Sequence, residues 1–270
     1  MPSSRSSQET RPAAVAGLFY PGDRGTLEHE LATLLGEARA QGPAVPKALI
    51  APHAGYVYSG PIAANAYALL AAGREVIKRV VLLGPTHRVA VRGLALPAAT
   101  RFATPLGTVE LDHEAIEALR GLSQIVVSEA AHALEHSLEV HVPFLQTVLA
   151  DFRLVPLAVG HVDAEEVAEV LDILYGGPET LIVVSSDLSH YLDYRRAQSV
   201  DRATCEGILE LKTDIDHEQA CGATPVSGLA LLARRRGLKP ELIDLRNSGD
   251  TAGDKGRVVG YASFAFYEPA

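Results

Sequence analysis

Four of the ten histidines stand just past the end of a short apolar run. Lys47–Ala51 leads into Pro52-His53-Ala54-Gly55, and Arg79–Gly84 leads into Pro85-Thr86-His87. Leu154–Gly160 is followed at once by His161, and Leu181–Ser186 runs into Asp187-Leu188-Ser189-His190. Neutral imidazole is a common metal ligand, so two or three in one crevice make a metal site the leading interpretation. A single loop histidine more often caps a helix or meets solvent. His53, His87 and His190 together, on loops carrying Gly and Pro, weigh against that plain explanation. His161 keeps it, because HVDAEE is a helix start with Asp163 as N-cap.

Asp187 and His190 are three apart, and a helical turn there would put them on one face. A carboxylate beside an imidazole orients it and raises its pKa, which suits acid/base work. The alternative is an Asp cap with an incidental His. Leu134-Glu135-His136-Ser137-Leu138-Glu139-Val140-His141 is also dense in ligand types. It is not H-E-x-x-H, because its histidines are not four apart, so a zincin is unsupported. Glu135 and His136 are expected to start a helix pointing into the site. Glu139 and His141 are expected to support ligands from behind. A solvated helix face is the equal alternative.

Cys221 precedes Gly222-Ala223-Thr224-Pro225, which reads as a helix start with Thr224 as N-cap and Pro225 as first helical residue. A thiol upstream of a helix N-terminus is expected to favour thiolate, a nucleophile or soft metal ligand. An inert structural thiol is the alternative. Cys205 sits in a helical pattern and reads as a buried small hydrophobe. Ser248–Asp254 offers oxygen ligands without EF-hand spacing and reads as a loop. The chain has neither a G-x-G-x-x-G after a strand nor a Walker A motif, so no nucleotide cofactor is expected.

The elements that must position these groups alternate. The four apolar runs read as strands covered on both faces. Helical patterns lie at Gly25–Arg39, Pro61–Ala72, His113–Arg120, Ser137–Leu149, Ala164–Tyr175, Tyr194–Leu211 and Pro225–Arg235. This predicts an α/β fold with a central, mostly parallel or mixed sheet flanked by helices. In such sheets ligands bind outside the strand carboxyl ends, where these histidines fall. Arg257–Tyr267 alternates and reads as a further strand at an edge. With 270 residues and 47% apolar content the chain can bury one sizeable core. Residues 1–12 are expected to be a disordered tail, and 13–270 a single domain.

A net charge of −9 argues against a broad nucleic-acid surface. No apolar stretch is long enough for a membrane helix, and Met1–Thr10 has no apolar signal core. Two cysteines cannot make a disulfide framework, so a reducing cytoplasm is the expected compartment.

Seven blocks carry a resemblance: AGLFYPGD (16–23), APHAGYVYSG (51–60), LLGPTHRV (82–89), EHSLEVHVPFLQ (135–146), VVSSDLSHY (183–191), CGATPVSGL (221–229) and NSGDTAGDKGRVVGYASFAFY (247–267). Together, in order and over nearly the whole chain, they resemble the Memo family, whose prokaryotic members are called AmmeMemoRadiSam system protein B. The resemblance implies a fold shared with class III extradiol dioxygenases. It implies a metal site on His53, His87 and Cys221, with Asp187 and His190 as the other site residues and His190 as the acid/base group. It also implies functional association with radical SAM and AMMECR1-type proteins. Where the dioxygenases use a carboxylate ligand, this chain has Cys221, a softer ligand that favours copper or zinc as well as iron.

Three functions follow as expectations. The first is a redox enzyme with one iron or copper ion acting on a small, metal-chelating substrate. The second is a non-catalytic metal-handling or phosphopeptide-binding protein. A phosphate reader would need an Arg cluster, and the loops offer only Arg88 and Arg195–Arg196. The third is a zinc hydrolase.

Overall fold

The four apolar runs are strands, and they are neighbours. In a computed structural model that describes residues 9–39, 42 and 44–269, the chain opens with β1 (Thr10–Arg11), α1 (Arg24–Gly36), β2 (Ala48–Ala51), α2 (Tyr56–Ala68) and β3 (Arg79–Pro85). There follow β4 (Leu94–Leu96), β5 (Arg101–Thr104), β6 (Gly107–Glu110), α3 (His113–Ala118), β7 (Ile125–Val127) and α4 (Glu129–Ala133). Next come α5 (Val142–Val148), β8 (Arg153–Val159), α6 (Ala164–Ile173), β9 (Thr180–Ser185), β10 (His190–Leu192) and α7 (Tyr194–Leu209). The chain ends in α8 (Ala223–Arg236), β11 (Lys239–Asn247), α9 (Ser248–Thr251) and β12 (Val258–Tyr267).

The large sheet runs β10-β12-β2-β9-β3-β8-β4-β7, with β11 also paired to β12. Its centre, β2-β9-β3-β8, is parallel throughout. The flanks add antiparallel pairs, β12 to β2 and β4 to β8, so the sheet as a whole is mixed. Parallel order places the carboxyl ends of β2, β3, β8 and β9 on one rim, and the loops bearing His53, His87, His161 and Asp187 leave from it.

Successive side chains of the central strands enter opposite faces, and each face has its own core. On one face, Leu49, Val80, Leu82, Leu181 and Val183 pack with Leu27 and Leu31 of α1, Tyr67 of α2 and Phe144 of α5. On the other, Ile50, Val81, Leu83, Ile182 and Val184 pack with Val167 and Leu171 of α6, Ile208 of α7 and Leu229 of α8. Each fully buried leucine or isoleucine contributes roughly 1.5–3 kcal/mol relative to exposure, which makes this rim a rigid platform.

Several expectations are corrected. Within the expected tail, residues 9–12 are ordered: Thr10–Arg11 pairs with Arg101–Phe102 of β5, and Arg11 is buried. The rest of that expected tail lies outside the described residues. β12 is interior, paired to β11 on one side and to β2 and β10 on the other. α2 begins at Tyr56 and carries Pro61 inside it. The Ser137–Leu149 pattern divides into a 3₁₀ turn (Glu139–His141) and α5, whose first turn holds Pro143. Thr224 is not the cap of α8. Gly222 is, because α8 already starts at Ala223, and the position needs glycine because a Cβ there would sit 2.6 Å from the Ser185 carbonyl oxygen. Asp163 caps α6, in a reciprocal pair with Glu166.

Candidate metal centre

His53, His87 and His136 each offer a ligand nitrogen, and these atoms all lie within 4.8 Å of one another. Cys221 lies beside one of them, its Sγ 3.3 Å from His53 Nε2. Of the expected set, Cys221 meets His53, while His87 groups with His53 and His136. His136, expected at a helix start pointing into the site and not as a ligand, lies in the cluster itself. Its ring centroid is 4.6 Å from that of His87 and 5.4 Å from that of His53, with Phe19 against it at 4.6 Å.

Two supports fix the imidazoles. Glu135 lies under His87: its Oε1 receives His87 Nδ1 at 2.9 Å and its Oε2 receives the His87 backbone N–H at 2.6 Å. The same Oε1 accepts from the N–H groups of His136 and Ser137. Burial alone would raise this carboxyl's pKa. The donors from His136, His87 and Ser137 outweigh it and hold Glu135 well below the usual carboxylate range. An ionised Glu135 must be met by a proton on His87 Nδ1, which leaves Nε2 bare for an ion. His136 Nδ1 lies 3.1 Å from that oxygen but lacks the alignment of a hydrogen bond. The second support is at His53, whose Nδ1 is 2.6 Å from Ser185 Oγ.

Glu135 and His136 do not start a helix. They sit in the turn between α4 and the 3₁₀ segment. That turn is held from behind by Arg11, whose guanidinium donates to the carbonyls of His132 (2.7 Å) and Glu135 (2.8 Å) and to Glu139 Oε2 (2.6 Å). Glu139 also accepts from the N–H groups of Ala14 and Val15 and from the Tyr20 hydroxyl. It therefore anchors the N-terminal segment, not the cluster. His141 is buried, with Nδ1 2.9 Å from the Tyr67 hydroxyl. Burial first, then the neighbouring His136, lowers its pKa to about 3, so it is neutral.

Asp187 serves His53. Its Oδ1 accepts the His53 backbone N–H at 2.8 Å, and its Oδ2 is 4.0 Å from His53 Nε2. The 186–189 segment is irregular, not helical, and Asp187 turns its carboxylate to His53 instead of His190. His190 nonetheless lines a crevice of about 590 Å³ together with His87 and Cys221. His161 is exposed and stands apart from the cluster.

The chain opposes a thiolate at Cys221. Burial first, and the Asp187 charge second, push the thiol up to about 12 against the Asp187 and Gly222 N–H groups. The helix-end expectation therefore fails for the protein's own groups. A bound cation would supply the missing charge and displace the proton. Cys205 is buried inside α7 and likewise raised to about 12 by burial. Both cysteines are free.

The donor set fits an ion: three imidazoles offer nitrogens within 4.8 Å of one another, and the Cys221 sulfur lies 3.3 Å from one of them, His53 Nε2. A family profile described as Memo-like protein matches residues 11–265. The chain belongs to the Memo family. Among its relatives are a MEMO1 family protein of Aquifex aeolicus, 34% identical over 95% of this chain and 98% of that one, and one of Aeropyrum pernix, 37% identical over 93% and 97%. One from Methanosarcina barkeri is 36% identical over 94% and 98%. An uncharacterized protein of Escherichia coli K12, JW3007, shares the fold at 14% identity, with a TM-score of 0.50 over 82% of this Memo-family chain and all of that one.

Among the described residues, no helix of this Memo-family protein is long and apolar enough to cross a membrane. Glu135's place under His87, and His136's place in the cluster, could have been weighted more heavily from sequence, because the E-H-S triplet was already visible. Ser185 gave no such signal, being one more small residue at the end of a buried strand.

Proposed function

We infer that this Memo-family protein binds one transition-metal ion through His53, His87 and Cys221, and uses it as a redox enzyme on a small, metal-chelating substrate such as a catechol-like diol. The observation that carries the reading is the convergence of Cys221 Sγ and His53 Nε2 at 3.3 Å beside His87, next to a crevice that His190 lines.

The roles divide as follows. Asp187 holds the His53 backbone, and Glu135 holds His87 by both its ring and its N–H. His190 faces the crevice, where it can take a proton from a substrate hydroxyl or return one. When bound, iron or copper would supply Lewis acidity and one-electron chemistry, and the soft sulfur favours these ions over magnesium or calcium.

Metal handling without turnover is the second reading. Asp216, His217 and Glu218 line the crevice beside a single arginine, Arg196. That lining suits the passage of a cation better than the capture of a phosphate, which asks for clustered guanidinium groups. A zinc hydrolase is the third, since zinc would leave the same site without redox chemistry.

Elemental analysis of protein purified without oxygen, for wild type and His53→Ala, tests the reading. Near-stoichiometric iron or copper, lost in the variant, supports it, and oxygen consumption with diols then separates enzyme from carrier. Stoichiometric zinc would transfer the assignment to the hydrolase. Absence of metal after reconstitution would overturn all three.

A further inference from the structure

Ser185 closes β9, is fully buried, and makes two hydrogen bonds of 2.6 Å. One goes to the carbonyl oxygen of Ser137, the other joins His53 Nδ1. A carbonyl oxygen can only accept, so the single hydroxyl proton of Ser185 lies toward Ser137. The hydrogen in the second bond must then come from the imidazole. We propose that Ser185 is a positioning residue for His53, one that fixes the ring as the Nδ1–H tautomer and leaves its Nε2 lone pair directed at Cys221.

The arrangement reaches beyond one ring. Ser137, whose carbonyl oxygen accepts from the Ser185 hydroxyl, donates its own N–H to Glu135 and its hydroxyl to the Pro85 carbonyl at the end of β3. Glu135 in turn accepts from His87 Nδ1. The same turn therefore sets the tautomers of both His53 and His87, through a hydroxyl in one case and a carboxylate in the other. When the acceptor is removed, the Nδ1–H form loses the bond that favours it, and the Nε2–H tautomer gains population. Ser185 is thereby the residue that decides whether His53 presents a lone pair or a proton to an incoming ion.

This rests on the metal-site reading for its consequence but not for the tautomer, and the experiment separates the two. Nitrogen-15 NMR on chelator-stripped, full-length protein assigns the protonated nitrogen of His53. Zinc(II) affinity is measured in parallel by competition with a chromophoric chelator, for wild type, Ser185→Ala and Ser185→Thr. The expected result is Nδ1–H in wild type, a shift toward Nε2–H in Ser185→Ala with a 10–100-fold loss of zinc affinity, and recovery to within about threefold in Ser185→Thr, which keeps the hydroxyl. An Nε2–H ring in wild type would overturn the proposal, whether or not the variants fold. So would an alanine variant with unchanged tautomer and affinity. Wild type that takes up no zinc but shows Nδ1–H would defeat the metal-site reading and leave the tautomer assignment standing.

Discussion

Cys221 Sγ lies 3.3 Å from His53 Nε2 although 168 positions separate the two residues. The approach is made where α8 begins. The Gly222 N–H donates to Ser186 Oγ at 3.0 Å, the Cys221 N–H donates to the Asp187 carbonyl oxygen at 3.2 Å, and the Asp187 N–H donates to the Cys221 Sγ at 3.3 Å. The end of β9 and the start of α8 are thus laced together, and the sulfur is delivered to the imidazole at the end of β2.

Cys221→Ser should lower metal stoichiometry in anaerobically purified protein as His53→Ala does, because a neutral hydroxyl replaces a potential thiolate. Unchanged metal content in the serine variant would remove Cys221 from the ligand set. His190→Ala should keep the metal and lose turnover under the enzyme reading. Under the carrier reading it should alter neither metal content nor any rate.

Gly222→Ala tests the close approach itself. The new Cβ would lie 2.6 Å from the Ser185 carbonyl oxygen and 2.7 Å from Ser186 Cβ, both on a buried strand end that cannot yield freely. The expected cost is about 1–3 kcal/mol in a urea titration, with weaker metal binding as α8 is pushed off β9. Wild-type stability and affinity together would show that the contact is not tight.

Arg11→Ala should destabilise the protein by about 3–5 kcal/mol, since it leaves buried Glu139 without its cation and frees the carbonyls of His132 and Glu135. Chemical denaturation measures it. A loss below about 1 kcal/mol would mean that the N-terminal strand merely lies against the domain.

His132 sets a pH dependence. Burial lowers its pKa to about 4, against the hydrogen bond between Nε2 and the Ala95 carbonyl oxygen that raises it. On acidification the unfolded chain takes up a proton near the ordinary histidine value of 6.5, while the folded chain does not until about 4. The unfolded state therefore binds more protons in this window, and stability falls as pH drops from 6.5 toward 4, by on the order of 3 kcal/mol from this residue. Urea midpoints at pH 7.5, 6 and 5 for wild type and His132→Gln give the comparison. Equal slopes in both proteins would rule His132 out as the source.

Much of this was visible in the residues. β2, β3, β8 and β9 are continuous apolar runs because both faces of the central sheet are covered, and such runs announce themselves. β5, β6 and β11 did not, because they are short or partly exposed: Lys239–Asn247 carries Pro240 and four charges yet forms a nine-residue strand against β12. Pro61 hid the first turn of α2 by suggesting that the helix began there.

The candidate site divides along the same line. Residue types and their places at strand ends are local properties, so His53, His87, His190, Asp187 and Cys221 could be named from the chain alone. Who touches whom is not local. The sheet order 2-9-3-8, the missing Cβ at Gly222 and the buried Arg11 decide that Asp187 holds His53 and not His190, that His136 enters the cluster, and that Ser185 hydrogen-bonds to His53 Nδ1. Those pairings depend on distances of about 3 Å between segments far apart in sequence, and only the packing of both sheet faces fixes such distances.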